Sequence, residues 1–183
     1  MATKADRTLM QGFTCTEPAR RNPRNGRSLP HHKEWEFEVQ KWFRSGDAMA
    51  DANGDAVHDG RLLLGLVGGG LAACASHSRL NHPGVETPLR KLLAFPGPIR
   101  NFKAFGIDCK HRGQGGAIAD DAMEYVLADM FARERYAPTL VIARVDRRNA
   151  ASEAFLGRHE FALIDDLPEP DEYRNWFTVL EAE

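Results

Sequence analysis

The sequence predicts a mixed α/β sheet, and three features predict it. Apolar runs of strand length alternate with segments of helical period, two such runs stand side by side near residue 65, and two more close the chain. Strands separated by helices form a sheet covered on its faces.

The elements follow in order. LMQGFTC (9–15) reads as a first strand. EPARRNPRNGRSLPHHK (17–33) reads as a loop from its Pro, Asn and Gly content, and it sets Arg20, Arg21, Arg24, Arg27 and Lys33 against one acid, Glu17. Trp35, Val39, Trp42 and Phe43 recur at i, i+4, i+7 and i+8, which predicts a helix over 33–50 with an aromatic face. DANGDAVHDG (51–60) opens like a calcium loop, but Ala56 holds its sixth position and Leu62 its twelfth, so a solvated turn is expected.

RLLLGLV (61–67) and GLAACASHS (70–78) read as paired strands, with glycines between them that permit a turn or bulge. A proline-bearing stretch, 81–100, leads into a strand, NFKAFGIDC (101–109). A helix from about 115 to 134 is expected to carry Ile118, Ala122, Tyr125, Val126 and Met130 on one side. PTLVIARVD (138–146) is a buried strand, Asn149 an N-cap for a short helix, and FALID (161–165) and NWFTVLE (175–181) the closing strands.

Bulk properties set the limits. A length of 183 residues suits one domain, 1–183, and 43% hydrophobic with 27% charged residues excludes a disordered chain. A net charge of -2 excludes a uniformly basic nucleic-acid coat, though not a local basic patch. Three widely spaced cysteines suit free thiols. The first residues lack the apolar core of a signal peptide, and LLLGLVGGGLAACA (62–75) falls short of the roughly 20 residues of a membrane span. A cytoplasmic protein away from the membrane is the expectation. Cys74 and His77 form a lone C-x-x-H, too little to predict a metal.

CKHRGQGGAIADDAMEYV (109–126) is the segment that bears on function. It is no dinucleotide fingerprint, because Ile118 stands where the third glycine belongs, and it lacks the G-K-S/T of a Walker loop. Gly113, Gly115 and Gly116 can present successive backbone N–H groups to an anion at a helix N-terminus, with Arg112 adding charge at the rim. The alternative is a glycine-rich turn without a ligand.

Arg112-x-x-Gly115-x-Ala117, after a strand ending in Ile107-Asp108, resembles the R/Q-x-x-G-x-G/A signature of the GCN5-related N-acetyltransferases (GNAT). VDRRNAASEAFLGRHEF is similar to that family's later segment, with Asn149 opening a helix and Phe161 twelve residues on; the resemblance spans about residues 60 to 181. It implies the GNAT fold, a single twisted mixed sheet flanked by helices and splayed between its fourth and fifth strands, here 101–109 and 138–145. It implies acetyl-CoA as cofactor and acetyl transfer to a primary amine. The pyrophosphate would lie on Arg112, Gly113, Gln114, Gly115, Gly116 and Ala117, and the pantetheine arm would bond to backbone near Ile107 and Cys109, with Asn149 and Ser152 as further cofactor contacts.

The family's usual tyrosine acid is replaced by Leu156, and its glycine before the phenylalanine by Glu160. Three readings stay open: Ser152, one turn before Leu156, relays a proton; proximity and backbone polarisation suffice for an α-amine; or the chain is a catalytically degenerate acyl-CoA-binding regulatory module. Asp108 is a candidate base beside the wedge, or else a turn carboxylate, and Cys109 a weak candidate nucleophile.

PLRKLLAFPGPIRNFKAFGID is similar to the toxin branch of the family, whose members acetylate aminoacyl-tRNA and are encoded with an antitoxin. That implies tRNA as one acceptor, with Arg20, Arg21, Arg90 and Lys91 as phosphate contacts, and an antitoxin as partner; a homodimer is a further expectation. A small molecule or a protein N-terminus is the other acceptor class.

Overall fold

The computed structural model describes residues 4–18, 23–25, 33–52, 58–113, 115–164 and 172–182. Its centre is a six-stranded sheet of order β1-β2-β3-β4-β6-β5, built from β1 (Arg61–Val67), β2 (Gly70–Arg79), β3 (Ile99–Ile107), β4 (Thr139–Asp146), β5 (Ala162–Ile164) and β6 (Tyr173–Leu180). Every neighbouring pair is antiparallel except β3 and β4. The expected strands are present with one exception. Residues 9–12 belong to α1 (Lys4–Gly12) and 13–15 follow it outside any strand, with Met10 and Phe13, both 1% exposed, packed three residues apart into one cluster instead of alternating.

The aromatic helix is α2 (Glu34–Ser45), ended by Gly46 in the left-handed region and followed by α3 (Asp47–Ala52). The proline-bearing stretch folds as α4 (Pro83–Leu93), with Pro83 in the first turn, where a missing N–H costs nothing, and Pro88 inside. The helix after the glycine turn is α5 (Ala117–Arg133), and α6 (Ala150–Arg158) follows β4. Along α5 the buried stripe is Met123, Val126 and Met130, while Tyr125 is 68% exposed. The expected face was rotated, because Tyr125 sits about 100° round the helix from Val126. The calcium-like segment lies partly outside the described residues.

Two layers of side chains sandwich the sheet. Phe102, Val141, Ala143 and Val145 pack under α5 and α6, while Cys74 packs with α1 to α3, and Ile99, Leu140 and Ile142 with Leu89 of α4. Between β2 and β3 the register skips Lys103, since Ser76 faces Ala104 and His77 faces Phe102. This bulge lets Phe102 and Phe105 share one apolar cluster despite their odd spacing.

β3 and β4 pair only from Ile99 with Leu140 to Phe102 with Ala143. Beyond that, β3 stays with β2 and β4 with β6, so the sheet opens into a wedge. This is the expected splay. It falls between the third and fourth strands because the first expected strand is helical.

The root of the wedge is pinned by charge. Arg100, 1% exposed, donates from Nε to Glu134 at 3.0 Å and from Nη1 to His77 Nδ1 at 2.9 Å, and it also pairs with Asp59. An arginine can only donate, so His77 carries its proton on Nε2 and gives it to Asp129 at 2.9 Å. Glu134 pairs with Arg79 as well, and Asp59 with Arg133. Sheet and α5 are thereby locked together through fully engaged ions.

Candidate functional site

The wedge opens onto a cavity of about 1130 Å³ lined from both arms. At one end stands the glycine turn. Gly113, Gly115 and Gly116 have φ of 76, 73 and 86°, a conformation that L side chains rarely adopt. A Cβ at Gly113 or Gly115 would meet nothing within 4 Å, so the turn leaves open space against its backbone. Gly116 caps α5, whose first N–H groups precede any intrahelical bond and point toward the same side. The turn thus leaves its backbone uncovered at the head of a helix.

The one acid in the first turn of α5, Asp120, would oppose an anion, and it is covered. Arg158 Nη2 reaches it at 2.6 Å and His159 Nε2 at 3.0 Å, and the arginine first of all holds its carboxyl below the usual range. Arg158 comes from the end of α6 and stands 3.5 Å from where a Gly116 Cβ would be. Spacing offered no sign of this second cation at the turn.

Arg112, expected to add charge at the rim, is engaged by protein groups. Its guanidinium donates to Glu36 of α2 at 3.1 Å, to the Ile107 carbonyl at 3.3 Å, and to the Cys15 carbonyl. Arg112, Gly113, Gly116 and Ile107 all line the cavity. Gln114 lies outside the described residues.

Asp108 does not line the cavity. Its carboxylate accepts from Thr14 N and Lys110 N, each at 3.0 Å, and it is buried. Both its oxygens are satisfied by main chain, which makes it a joint between β3 and the segment after α1 instead of a base. The Cys109 amide donates to Thr14 O at 2.7 Å, so that N–H is not open to a pantetheine arm. The Cys109 thiol is pushed up, chiefly by burial, against the pull of Arg112 and with Asp108 and Glu36 adding to it, which disfavours the thiolate a nucleophile needs. Cys15 is driven further, to about 12, again by burial first.

On the other arm Asn149 caps α6. Its Oδ1 accepts from Ser152 N at 3.2 Å and its Nδ2 donates to Ser152 Oγ at 2.7 Å. The hydroxyl of Ser152 therefore accepts from Asn149 and keeps its own proton for a further partner. Asn149, Ser152 and Leu156 all line the cavity, and Leu156 is at the same time part of the core, 3% exposed. Phe155 stacks on Phe105 of β3 with ring centroids 5.1 Å apart, which seats α6 across the wedge.

The opposite face of the wedge carries Trp35, Arg144, Arg148, Tyr173 and Asn175. Arg144 lies over the Tyr173 ring at 4.7 Å, and Arg148 over Trp35 at 5.1 Å while its Nη2 holds Asp146 at 2.7 Å. Of the residues proposed for tRNA, Arg20 and Arg21 lie outside the described residues. Arg90 is spent within its own neighbourhood, on Glu86 at 2.7 Å and the Gly97 carbonyl at 2.6 Å, and Lys91 is exposed. His77 has both ring nitrogens engaged, so the C-x-x-H pair with Cys74 offers no imidazole to a metal. No described helix is long and apolar enough to cross a membrane.

No protein-family model matches the sequence, and no curated protein matches it either. Solved structures do match in fold. The GNAT domain of S. lividans PAT aligns with a TM-score of 0.51 at 19% identity, over 69% of this chain and 64% of that one. A bacterial toxin aligns at 0.59 and 14% identity, over 98% and 86% of the two chains. AtaTR bound with AcCoA aligns at 0.55 and 13%, over 97% and 88%. The fold of this protein is that of the GNAT acetyltransferases.

Proposed function

We propose that the protein transfers an acetyl group from acetyl-CoA to a primary amine. The observation that carries this is the open glycine cradle at the N-terminus of α5, joined to a cavity that runs into the splay of β3 and β4. The cofactor would supply an activated thioester. Backbone of Gly113, Gly115 and Gly116 would hold its pyrophosphate, with Arg158 balancing Asp120 beside it, and Ile107 would meet the pantetheine arm. Asn149 orients the Ser152 hydroxyl, a protic group one helical turn before the position where Leu156 offers none. Proximity in the wedge carries the remainder of the rate.

Aminoacyl-tRNA is one acceptor to test, supported by the toxin likeness, and small-molecule or protein α-amines form the other class. An antitoxin partner follows only from the first.

Two measurements decide the reading. Calorimetry with acetyl-CoA should register one site per chain, and thiol release should appear with glycinamide, an alanine-initiated peptide or aminoacyl-tRNA. Gly115→Asp should weaken binding at least tenfold, because it places a carboxylate among the phosphate donors, roughly 1.4 kcal/mol or more. Binding without turnover on any of these amines would favour the non-catalytic module suggested by Leu156. No heat with the wild type would end the proposal.

A further inference from the structure

Helix α2 is attached unequally along its length. Its second half is bolted down: Gln40 Oε1 accepts from Cys15 N at 3.0 Å and Thr16 N at 3.3 Å, and Arg44 donates to the Phe13 carbonyl at 2.6 Å. Its first turn meets the wedge through two side-chain contacts, Arg112 with Glu36 at 3.1 Å and Arg148 over Trp35 at 5.1 Å, and through one long bond in which the Cys15 thiol donates to the Glu36 carbonyl at 3.9 Å. The Arg112 contact reaches the β3 arm and the Arg148 contact the β4 arm, so the start of α2 spans the mouth.

The first contact involves the residue that the cofactor signature places beside the pyrophosphate. Arg112 is 38% exposed at the edge of the glycine turn, while Glu36 is 12% exposed and lines the same cavity. A guanidinium exchanges a carboxylate for a diphosphate readily, since the diphosphate carries more charge and offers more acceptor oxygens. Glu36 would not be stranded by the exchange, because Lys33 stands 3.4 Å from its other oxygen. The Cys15 segment would keep its bonds to Gln40.

Resting on the acetyl-CoA reading above, we propose that Glu36 is a positioning residue and an internal competitor of the cofactor. Pyrophosphate draws Arg112 away from Glu36, the first turn of α2 loosens, and the acceptor side of the cavity opens around Trp35. The start of α2 is the moving part, and Gln40 and Arg44 mark where the motion stops.

The test is a gain of affinity, which a merely structural glutamate would not give. Calorimetry with coenzyme A, and separately with inorganic pyrophosphate, compares wild type, Glu36→Gln and Glu36→Asp. Glu36→Gln should bind both roughly threefold to tenfold more tightly, the range expected on removing a half-buried competing ion pair. Glu36→Asp, which keeps the charge but shortens the reach, should fall between. In an Arg112→Gln background the gain should vanish. If coenzyme A binds the wild type normally but neither glutamate variant gains affinity, the inference is overturned and the acetyl-CoA reading stands. If coenzyme A does not bind the wild type at all, both fall.

Discussion

The root and the mouth of the wedge are built from the same two elements, β3 and α5, yet they are finished in opposite ways. At the root, Arg100 of β3 and Glu134 just past α5 are nearly inaccessible and each ion is matched by another. At the mouth, β3 ends in backbone that β4 no longer pairs, and the turn before α5 carries two glycines, Gly113 and Gly115, with open space around them. The contrast shows how a fold can hold a binding turn in shape without filling it. Exposed donors at one end of a helix are tolerable when its other end is fixed to the sheet by groups that cannot leave water-free surroundings unpaired.

The sharpest way to break this comparison is at the root. Glu134→Gln removes the carboxylate shared by Arg79 and Arg100, and leaves Arg100 buried beside a neutral amide. Loss of one partner from a buried ion network costs about 3 kcal/mol. Urea denaturation should show that loss, while coenzyme A affinity of the folded fraction stays within about twofold, since one such step is under 0.5 kcal/mol. A variant as stable as wild type would mean that the network merely decorates the joint.

Acid sharpens the same point through His77. Burial first of all, and then Arg100 and Arg61, hold the imidazole below its usual 6.5, against the pull of Asp129. The unfolded chain therefore takes up a proton that the folded one refuses. The contribution of neutral His77 is present in full above pH 6.5, declines as pH falls from 6.5 to the folded-state value, and is gone below it. Across that window stability should drop by at most about 1.4 kcal/mol per pH unit, one proton's worth. Asp59, lowered to about 2 with burial opposing Arg133 and Arg100, acts in the same direction at still lower pH. In His77→Gln the slope between pH 6.5 and 5 should flatten; an unchanged slope would assign the acid sensitivity to other groups.

What could be read from the sequence divides along the same line. The strands and the cap at Asn149 are local patterns, and they appear where periodicity and capping chemistry put them, apart from α1, whose short apolar run suits either period; the splay followed from the family resemblance and from no local pattern. The partners of the charged residues are long-range. Arg112 meets Glu36 from 76 residues away, and Arg158 meets Asp120 from 38. No spacing rule connects such pairs, because they meet only after sheet and helices have been assembled. For the same reason Asp108 looked free beside the wedge, although its partner Thr14 lies 94 residues back.

The smallest effect is expected at the mouth, and it asks whether this end is independent of the root. Asn149→Ala deletes both the cap on Ser152 N and the bond that orients the Ser152 hydroxyl. Loss of such a cap costs about 1 kcal/mol. If the two ends are separate, hydrogen exchange should quicken in α6 alone and leave β2 and the second half of α5 as slow as before. Asn149→Asp resolves the two jobs of this side chain: it keeps an acceptor for the Ser152 amide but cannot donate to the hydroxyl. Stability should return with Asp while any rate lost with Ala stays lost, provided that Ser152 handles a proton. Recovery of both would make Asn149 a cap and nothing more, and would leave the wedge to work by placement alone.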